Sequence, residues 1–431
     1  RADLHLNHLL AYNLPGQNYE QLMPHWSDVL PSITVSSLPH WDAINKWYAA
    51  LSYDKSTPNV EVRALADSLF AGEIDSKEKV RRVHEYIVNN IRYSYQSFRQ
   101  SGFVPQSAGQ TLATRMGDCK DMAVLAKSLL RLGGVASNLV LVNTNDQELQ
   151  PSLPMIVFNH AILKLASGEF IDFTAGKNSL WTLPFLDQGA LKLEIDAENT
   201  TDIGYLPFDN SQDRLERVSF DTLDVQGNLT RNLRTLRTGN YASGFRNLYA
   251  YESPAASRRL AHKTLLHKYP RVDLMAWQVQ NLQNLYAPVQ NSSHYRIKNY
   301  VLNAENMVLT LPWTDALQAN NLPAESQRNF PLLSWKQHKF RGEVVEKISL
   351  KLPENFQLSS VPKERRIKNE WVDYSLEFSL KSHVLSATRR LKFVSPRIEK
   401  SQYADWRKNL EQIVEYDAQI LLLKSASVPK K

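Results

Sequence analysis

The stretch Gly117-Asp118-Cys119-Lys120-Asp121-Met122-Ala123-Val124-Leu125-Ala126 decides how this chain is read. Met122, Ala123, Leu125, Ala126, Leu129 and Leu130 recur at helical spacing and Gly133-Gly134 supplies a stop, so a helix opens at Cys119. The chain's single cysteine therefore stands at a helix N-terminus, where free N–H groups and the helix dipole favour a thiolate. A lone cysteine is more often a small buried hydrophobe, so the rest of a site has to come from elsewhere in the chain. Ala123 and Ala126 are small enough to let strands approach this helix closely.

Downstream the hydrophobic period becomes strand-like. Asn138 to Val142, Ile156 to Leu165 and Glu169 to Phe173 read as strands, the second carrying His160 and the third Asp172. A thiol nucleophile needs a base that titrates in the right range, and histidine does. A carboxylate that fixes the imidazole's tautomer completes such a constellation. Taken singly, His160 also reads as a satisfied core histidine and Asp172 as a strand-end turn residue. Their spacing supplies a test. If Ala166, Ser167 and Gly168 form a hairpin loop with Gly168 left-handed, Leu165 pairs with Glu169 and Ile162 stands opposite Asp172. His160 and Asp172 are then diagonal neighbours on one face, whereas a two-residue loop would send them to opposite faces.

Upstream, Val62, Leu65, Leu69 and Phe70 predict a helix stopped by Gly72. A second begins at Asp75, which with Glu78 has capping-box spacing, and buries Val80, Val83, Ile87 and Ile91. Helices followed by strands make residues 51–215 an α+β domain. Residues 1–50 hold Trp26, Pro31, Pro39, Trp41 and Trp47 but too little periodicity for a core of their own. From residue 216 to 431 the chain reads as β-rich with helical insertions. Arg217 to Val225 and Leu229 to Arg237 flank a Gln226-Gly227-Asn228 turn, and Ser253-Pro254 opens a helix. Strands follow at 273–282, 294–302, 343–352, 370–380 and 384–394. A helix at 400–418 has Trp406, Leu410, Ile413 and Val414 on one side.

A chain of 431 residues exceeds one ordinary core, which implies two or three domains. It begins with Arg1, so a processed or truncated chain is expected. No run approaches the roughly 18 apolar residues of a membrane span, so no integral membrane segment is expected. A net charge of +7 raises nucleic acid as a partner, but the basic runs Lys363, Arg365, Arg366, Lys368 and Arg389, Arg390, Lys392 lack interleaved aromatics. Solvated faces are the better account, and no nucleic-acid partner is expected. His5 with His8 and His262 with His267 lack a third ligand at suitable spacing, so no metal site is expected. No phosphate-cradling or dinucleotide motif is present, and no cofactor is expected. The sequons at Asn199, Asn228 and Asn291 matter only in a eukaryotic secretory pathway.

The segments Ile91-Arg92-Tyr93, Gly117-Asp118-Cys119-Lys120-Asp121, Asn159-His160-Ala161 and Ile171-Asp172-Phe173-Thr174-Ala175 closely resemble a bacterial branch of the transglutaminase-like superfamily. Trp181 to Gly189, with Pro184 and Gln188, is similar to that family's stretch after the core. Leu350 to Pro353 followed by Asn355 and Phe356 is similar to its C-terminal β domain. The sequence departs from the family in having Phe173 where proline is more usual. The resemblance implies a papain/transglutaminase-like core, with a Cys-bearing helix packed on an antiparallel sheet carrying His and Asp, followed by a β-rich region. It also implies that residues 1–50 are the remnant and linker of an N-terminal β-sandwich, and that the protein is exported to the periplasm or cell envelope of a Gram-negative bacterium. On this reading Cys119, His160 and Asp172 form a catalytic triad. The Cys119 N–H contributes to an oxyanion hole, with Tyr93 or Gln110 as side-chain donor. Asp118, Lys120 and Asp121 are read as surface groups at the start of the helix. Two functions stay open. One is acyl transfer from a peptide or glutamine-type amide, with water or an amine as acceptor. The other is a non-catalytic module that binds a polypeptide or envelope partner.

Overall fold

The computed structural model describes residues 10, 12–14, 16–72, 75–95, 102–145, 153–196, 198, 201–301, 306–333 and 342–425. Arg1, His5, His8, Asn199 and part of the Gln96 to Gln110 stretch lie outside the described residues. The first group of elements comprises α1 (Trp26–Val29), α2 (Trp41–Ser52), α3 (Val60–Leu69), α4 (Ser76–Asn90), β1 (Arg92–Tyr93), α5 (Ala108–Thr114), β2 (Met116–Gly117) and α6 (Cys119–Leu132). Five strands follow: β3 (Ser137–Asn143), β4 (His160–Leu165), β5 (Phe170–Ile171), β6 (Leu191–Ile195) and β7 (Ile203–Tyr205). They form one antiparallel sheet in the order β5-β4-β3-β6-β7.

Helix α6 is the centre of this unit. Met122, Ala123, Val124, Leu125, Ala126, Leu129 and Leu130 are all buried, so the helix is apolar nearly all round and is covered on all sides. It packs on β3 and β4 and is flanked by α3, α4 and α5. The small side chains of Ala123 and Ala126 lie fully buried within this packing, as their size suggests. The surrounding helices start where the sequence supplies caps. The Val62 N–H donates to Asn59 Oδ1 (3.0 Å) and the Glu78 N–H to Asp75 Oδ1 (2.8 Å). Glu78 does not close the capping box, because its carboxylate is taken by Arg81 and Arg82.

Gly168 sets the hairpin register that matters. It has φ +105°, a conformation that L side chains rarely adopt, and its N–H donates to the Leu165 carbonyl (2.9 Å). The Leu165 N–H donates to Glu169 O (2.8 Å), and Leu163 and Lys164 pair with Ile171 and Phe170. Continuing that register places Ile162 opposite Asp172. Alternation along β4 sends Ala161, Leu163 and Leu165 into the cluster around α6, while Ile162 joins Val140, Val142, Leu183, Ala190 and Leu206 on the opposite face. His160 is the first residue of β4, so the predicted strand from Ile156 is shorter than expected.

Several elements differ from the sequence expectation. The boundary set at residue 50 falls inside α2, whose Trp41, Ile44 and Tyr48 belong to the same core as α6. Earlier residues join the other end of the molecule. Glu20 accepts from the Asn329 N–H (2.7 Å) and the Phe330 N–H (3.2 Å) of the β-rich region. In that region an eight-stranded sheet runs, edge to edge, through Val272–Gln280, Val289–Ile297, Leu229–Arg237, Arg214–Leu223, Glu343–Lys351, Val384–Phe393, Val372–Lys381 and Arg365–Lys368. Only Arg214–Leu223 with Glu343–Lys351 is parallel. Two helices rather than one interrupt the strands, α7 (Gly239–Tyr249) and α8 (Pro254–Lys268), and α9 (Tyr403–Asp417) packs into the core beneath. Arg389, counted above in a basic run, is buried and donates to both carboxylate oxygens of Asp417 (2.6 and 2.7 Å). Among the described residues no helix is long and apolar enough to cross a membrane.

A Cβ at position 168 meets no atom within 4 Å, so Gly168→Ala tests backbone conformation alone. The substitution is expected to cost about 1 to 2 kcal/mol, read as a lower urea midpoint with an unchanged m-value.

Candidate active site

The N-terminus of α6 is assembled by buried polar groups. Asp118 is the N-cap residue, and its N–H donates to Asp121 Oδ2 (3.1 Å). Asp121 also accepts from the Gln106 N–H (2.7 Å) and Gln106 Nε2 (2.7 Å), while Lys120 pairs with Asp118. Asp118 and Asp121 are buried, not surface groups as the sequence suggested, because Gln106 and Lys120 compensate them. The pairing offsets the Asp118 charge beside the sulfur, which would otherwise disfavour a thiolate. Cys119 itself is partly exposed.

His160 lies where the end of the sheet meets this helix terminus, close enough to Cys119 for the sulfur to favour its protonated form. Its Nε2 lies 3.4 Å from Asp172 Oδ2 and 3.8 Å from Asp187 Oδ1. Asp172 is held firmly for this contact. The Thr174 N–H (2.8 Å) and Thr174 Oγ1 (2.7 Å) both donate to its Oδ1, which leaves Oδ2 for the ring. Burial opposes a charge on His160. The Asp172 carboxylate, the hydrogen bonds with Asp172 and Cys119, and the Asp187 carboxyl outweigh it, so the imidazole's pKa stands well above its ordinary value. Burial likewise works against the Asp172 carboxylate, yet the His160 charge and the Thr174 bonds hold its pKa below the usual value.

Of the two oxyanion candidates, the structure brings one to the cluster. Tyr93 on β1 pairs with Gly117 of β2, and the Ser94 N–H donates to Gly117 O (2.9 Å). Burial and the neighbouring Cys119, Asp118 and Asp172 push the Tyr93 phenol up to about 12, so it remains a donor. Gln110 is an exposed residue in the first turn of α5. The buried glutamine of that segment is Gln106, which is committed to Asp121.

Sequence reasoning missed three contributors. Tyr48, from the helix read as a linker, is buried, and its phenol pKa is raised by burial and by the field of Cys119. His84 of α4 lies near Asp172; burial lowers its pKa to about 4 against the pull of that carboxylate. Its Nδ1 contacts Tyr286 Oη (2.9 Å), and its ring lies against Phe173, with centroids 5.8 Å apart. Asp187 is the third, and its only sequence signal was its place in the Trp181 to Gly189 stretch. Among the described residues, His160, Asp172 and Asp187 are the one group of three metal-type donors, with donor atoms within 4.8 Å of one another. An ion on Nε2 would displace the proton that the imidazolium–carboxylate contact needs.

The model of the transglutaminase-like superfamily matches residues 63–188, and that of a domain of unknown function with solved structure, DUF3858, matches residues 305–423. The chain thus carries a transglutaminase-like domain that contains Cys119, His160 and Asp172, in an α+β core followed by a β-rich region. A solved structure from Parabacteroides distasonis, described as a candidate protease, aligns over 96% of this chain and 64% of its own, with a TM-score of 0.59 at 12% identity. It shares the fold, and this chain spans less than two thirds of its length. A candidate cysteine protease from Cytophaga hutchinsonii (20% identity, 34% of this chain and 46% of that one, TM-score 0.22) is too distant in shape to bear on the site. The same holds for Legionella pneumophila LapG (16%, 39% and 75%, TM-score 0.19). No curated protein matches this chain.

Because His84 titrates near 4 when folded and at an ordinary value when unfolded, the unfolded chain binds its proton first as pH falls. The stability of its neutral form is complete above about pH 6.5 and is lost progressively down to about pH 4, by roughly 3 kcal/mol. His84→Gln, which keeps a hydrogen-bonding partner for Tyr286 but does not titrate, should flatten that loss. Urea unfolding of both proteins at pH 7 and 4.5 measures the difference.

Proposed function

We propose that this protein is a thiol acyl-transfer enzyme acting on a peptide or glutamine-type amide. The observation that supports it best is one half-buried imidazole 3.4 Å from the Asp172 carboxylate and under the influence of Cys119. His160 holds the proton taken from the Cys119 thiol, and the resulting thiolate Sγ bonds to the amide carbonyl carbon. Asp172 holds the resulting imidazolium by Nε2. The C–N bond then breaks, and His160 returns the proton to the departing amine. Water attacking the thioester releases a carboxylic acid, whereas an amine forms a new amide, and either acceptor gives its proton to His160 as the Cys119 thiol is restored. On this reading the Cys119 N–H and the Tyr93 phenol donate to the developing oxyanion. A peptide or protein of the Gram-negative periplasm or envelope is the proposed substrate class, on the strength of the family resemblance.

Iodoacetamide reports the chemistry without a known substrate. A sulfur activated by His160 should be alkylated well below pH 8, and His160→Ala should slow that labelling at pH 6.5 by about tenfold or more. Equal rates in the two folded proteins would favour the idle binding module instead. A peptide amide library with and without added primary amine, blanked by Cys119→Ala, separates hydrolysis from transamidation. With any substrate so found, Tyr93→Phe is expected to lower kcat about ten- to a hundredfold while leaving KM nearly unchanged.

A further inference from the structure

A second carboxyl group faces the same ring nitrogen that Asp172 holds. We infer that Asp187 is a further positioning residue for His160, sharing Nε2 with Asp172. The inference rests on the acyl-transfer reading and adds a residue to it.

The chain builds a rigid turn to deliver this side chain. The Asp187 and Gln188 N–H groups both donate to Pro184 O (3.1 and 3.3 Å), and the Ala190 N–H donates to Asp187 O (3.1 Å). Gln188 spends its amide on two carbonyls, with Nε2 donating to Leu183 O and Asp209 O at 3.0 Å each. Gly189 follows at φ +71°, where a Cβ would come within 2.0 Å of the Phe208 ring. The Gly189 N–H donates to Leu206 O (3.1 Å) and the Leu206 N–H to Ala190 O (2.8 Å), which ties the turn to the next segment. Such a turn leaves Asp187 little freedom to point elsewhere.

What it points at is the ring. Its side chain is 3% exposed, Oδ1 lies 3.8 Å from His160 Nε2, and Oδ2 has no hydrogen-bond partner. A buried carboxyl with an unpartnered oxygen is costly unless something nearby gains from it, and among the described residues the cation it faces is the His160 imidazolium. The three groups bring their donor atoms within 4.8 Å of one another, so the titrations of the two carboxyls and the ring are linked. Burial and the Asp172 charge raise the Asp187 pKa to about 7 despite the opposing pull of His160. Near neutrality Asp172 therefore carries the fixed charge, while Asp187 adds a partial one that grows as pH rises. The other titratable groups facing this cluster are Cys119 from α6, His84 from α4 and Tyr93 from β1. As Asp187 ionises, it strengthens the hold on the imidazolium and extends the pH range over which His160 keeps its proton.

Asp187→Asn keeps the shape and removes the charge. Protein labelled at the histidine rings, in a Cys119→Ala background and with the His160 resonance identified by its loss in His160→Gln, gives the titration of His160 directly by NMR. The His160 pKa is expected to fall by at least about half a unit in Asp187→Asn, with the thermal midpoint showing that the protein is folded. With the thiol present, the His160-dependent iodoacetamide labelling should lose its alkaline reach by a similar shift. An unmoved His160 pKa in folded Asp187→Asn overturns the inference. Should that variant fail to fold, carboxyl-carbon titration of Asp187 itself decides. Its midpoint should rise in His160→Gln, where the opposing pull of the imidazolium is lost, and identical curves overturn the inference. Labelling that ignores His160 in the unsubstituted protein sinks the acyl-transfer reading and this inference with it. Labelling that needs His160, together with an unmoved pKa, sinks this inference alone.

Discussion

Two histidines in one neighbourhood, His84 buried and His160 half-buried, are driven to opposite charge states, and that contrast organises the site. Burial lowers the pKa of both His84 and His160. His84 has only a tyrosine hydroxyl on its Nδ1 and stays neutral down to about pH 4. His160 has a carboxylate at 3.4 Å and a second at 3.8 Å, and the balance reverses. Desolvation sets the cost of charging either ring, and the facing oxygen decides whether that cost is met. A site of this kind depends less on which residues are nearby than on which atom of each is turned toward the ring.

That orientation was legible in the sequence where it followed from local rules. The loop Ala166-Ser167-Gly168 determined the pairing of β4 with β5, because a left-handed glycine closes a three-residue hairpin in only one register. From the register came the shared face of His160 and Asp172. The helix at Cys119 was equally legible, since an apolar run nearly all round, with a glycine stop, admits little else. Asp187 follows no such rule. It sits in a turn without periodicity and reaches the ring because the strand face carrying Ile162 is covered by residues around Leu183 and Ala190. Helix α2 was missed for a different reason. Its Trp41, Ile44 and Tyr48 have helical spacing, but Pro31 and Pro39 before it, and Trp41 and Trp47 within it, read as punctuation. Helix α7 was lost among strands because Gly239 and Gly244 dilute its apolar pattern.

Helix α7 also shows why the β-rich region cannot be treated as an appendage. Asn240 Nδ2 donates to Leu183 O (3.3 Å) and to both carboxylate oxygens of Asp213 (3.3 and 3.2 Å), bracing the segment that leads to Asp187. Arg246 is fully buried, and its Nη2 donates to Asn284 O (2.7 Å) and Ala287 O (2.9 Å). Those bonds fix the loop from which Tyr286 reaches His84. One helix of the β-rich region thus supports both the turn carrying the second carboxyl and the tyrosine behind the neutral histidine.

The electrostatics follow from that bracing. A carboxyl group costs least when water can reach it, and Asp187 stays buried only because its turn is bonded at Pro184, Leu206 and Asp209 and its approach is held through Leu183. Loosening any of these contacts would let solvent in, lower the Asp187 pKa toward an ordinary carboxylate and screen its field at His160. The charge state of the imidazole is therefore tied to packing between the α+β core and the β-rich region, although Cys119, Asp172 and Asp187, which face the ring, belong to the core.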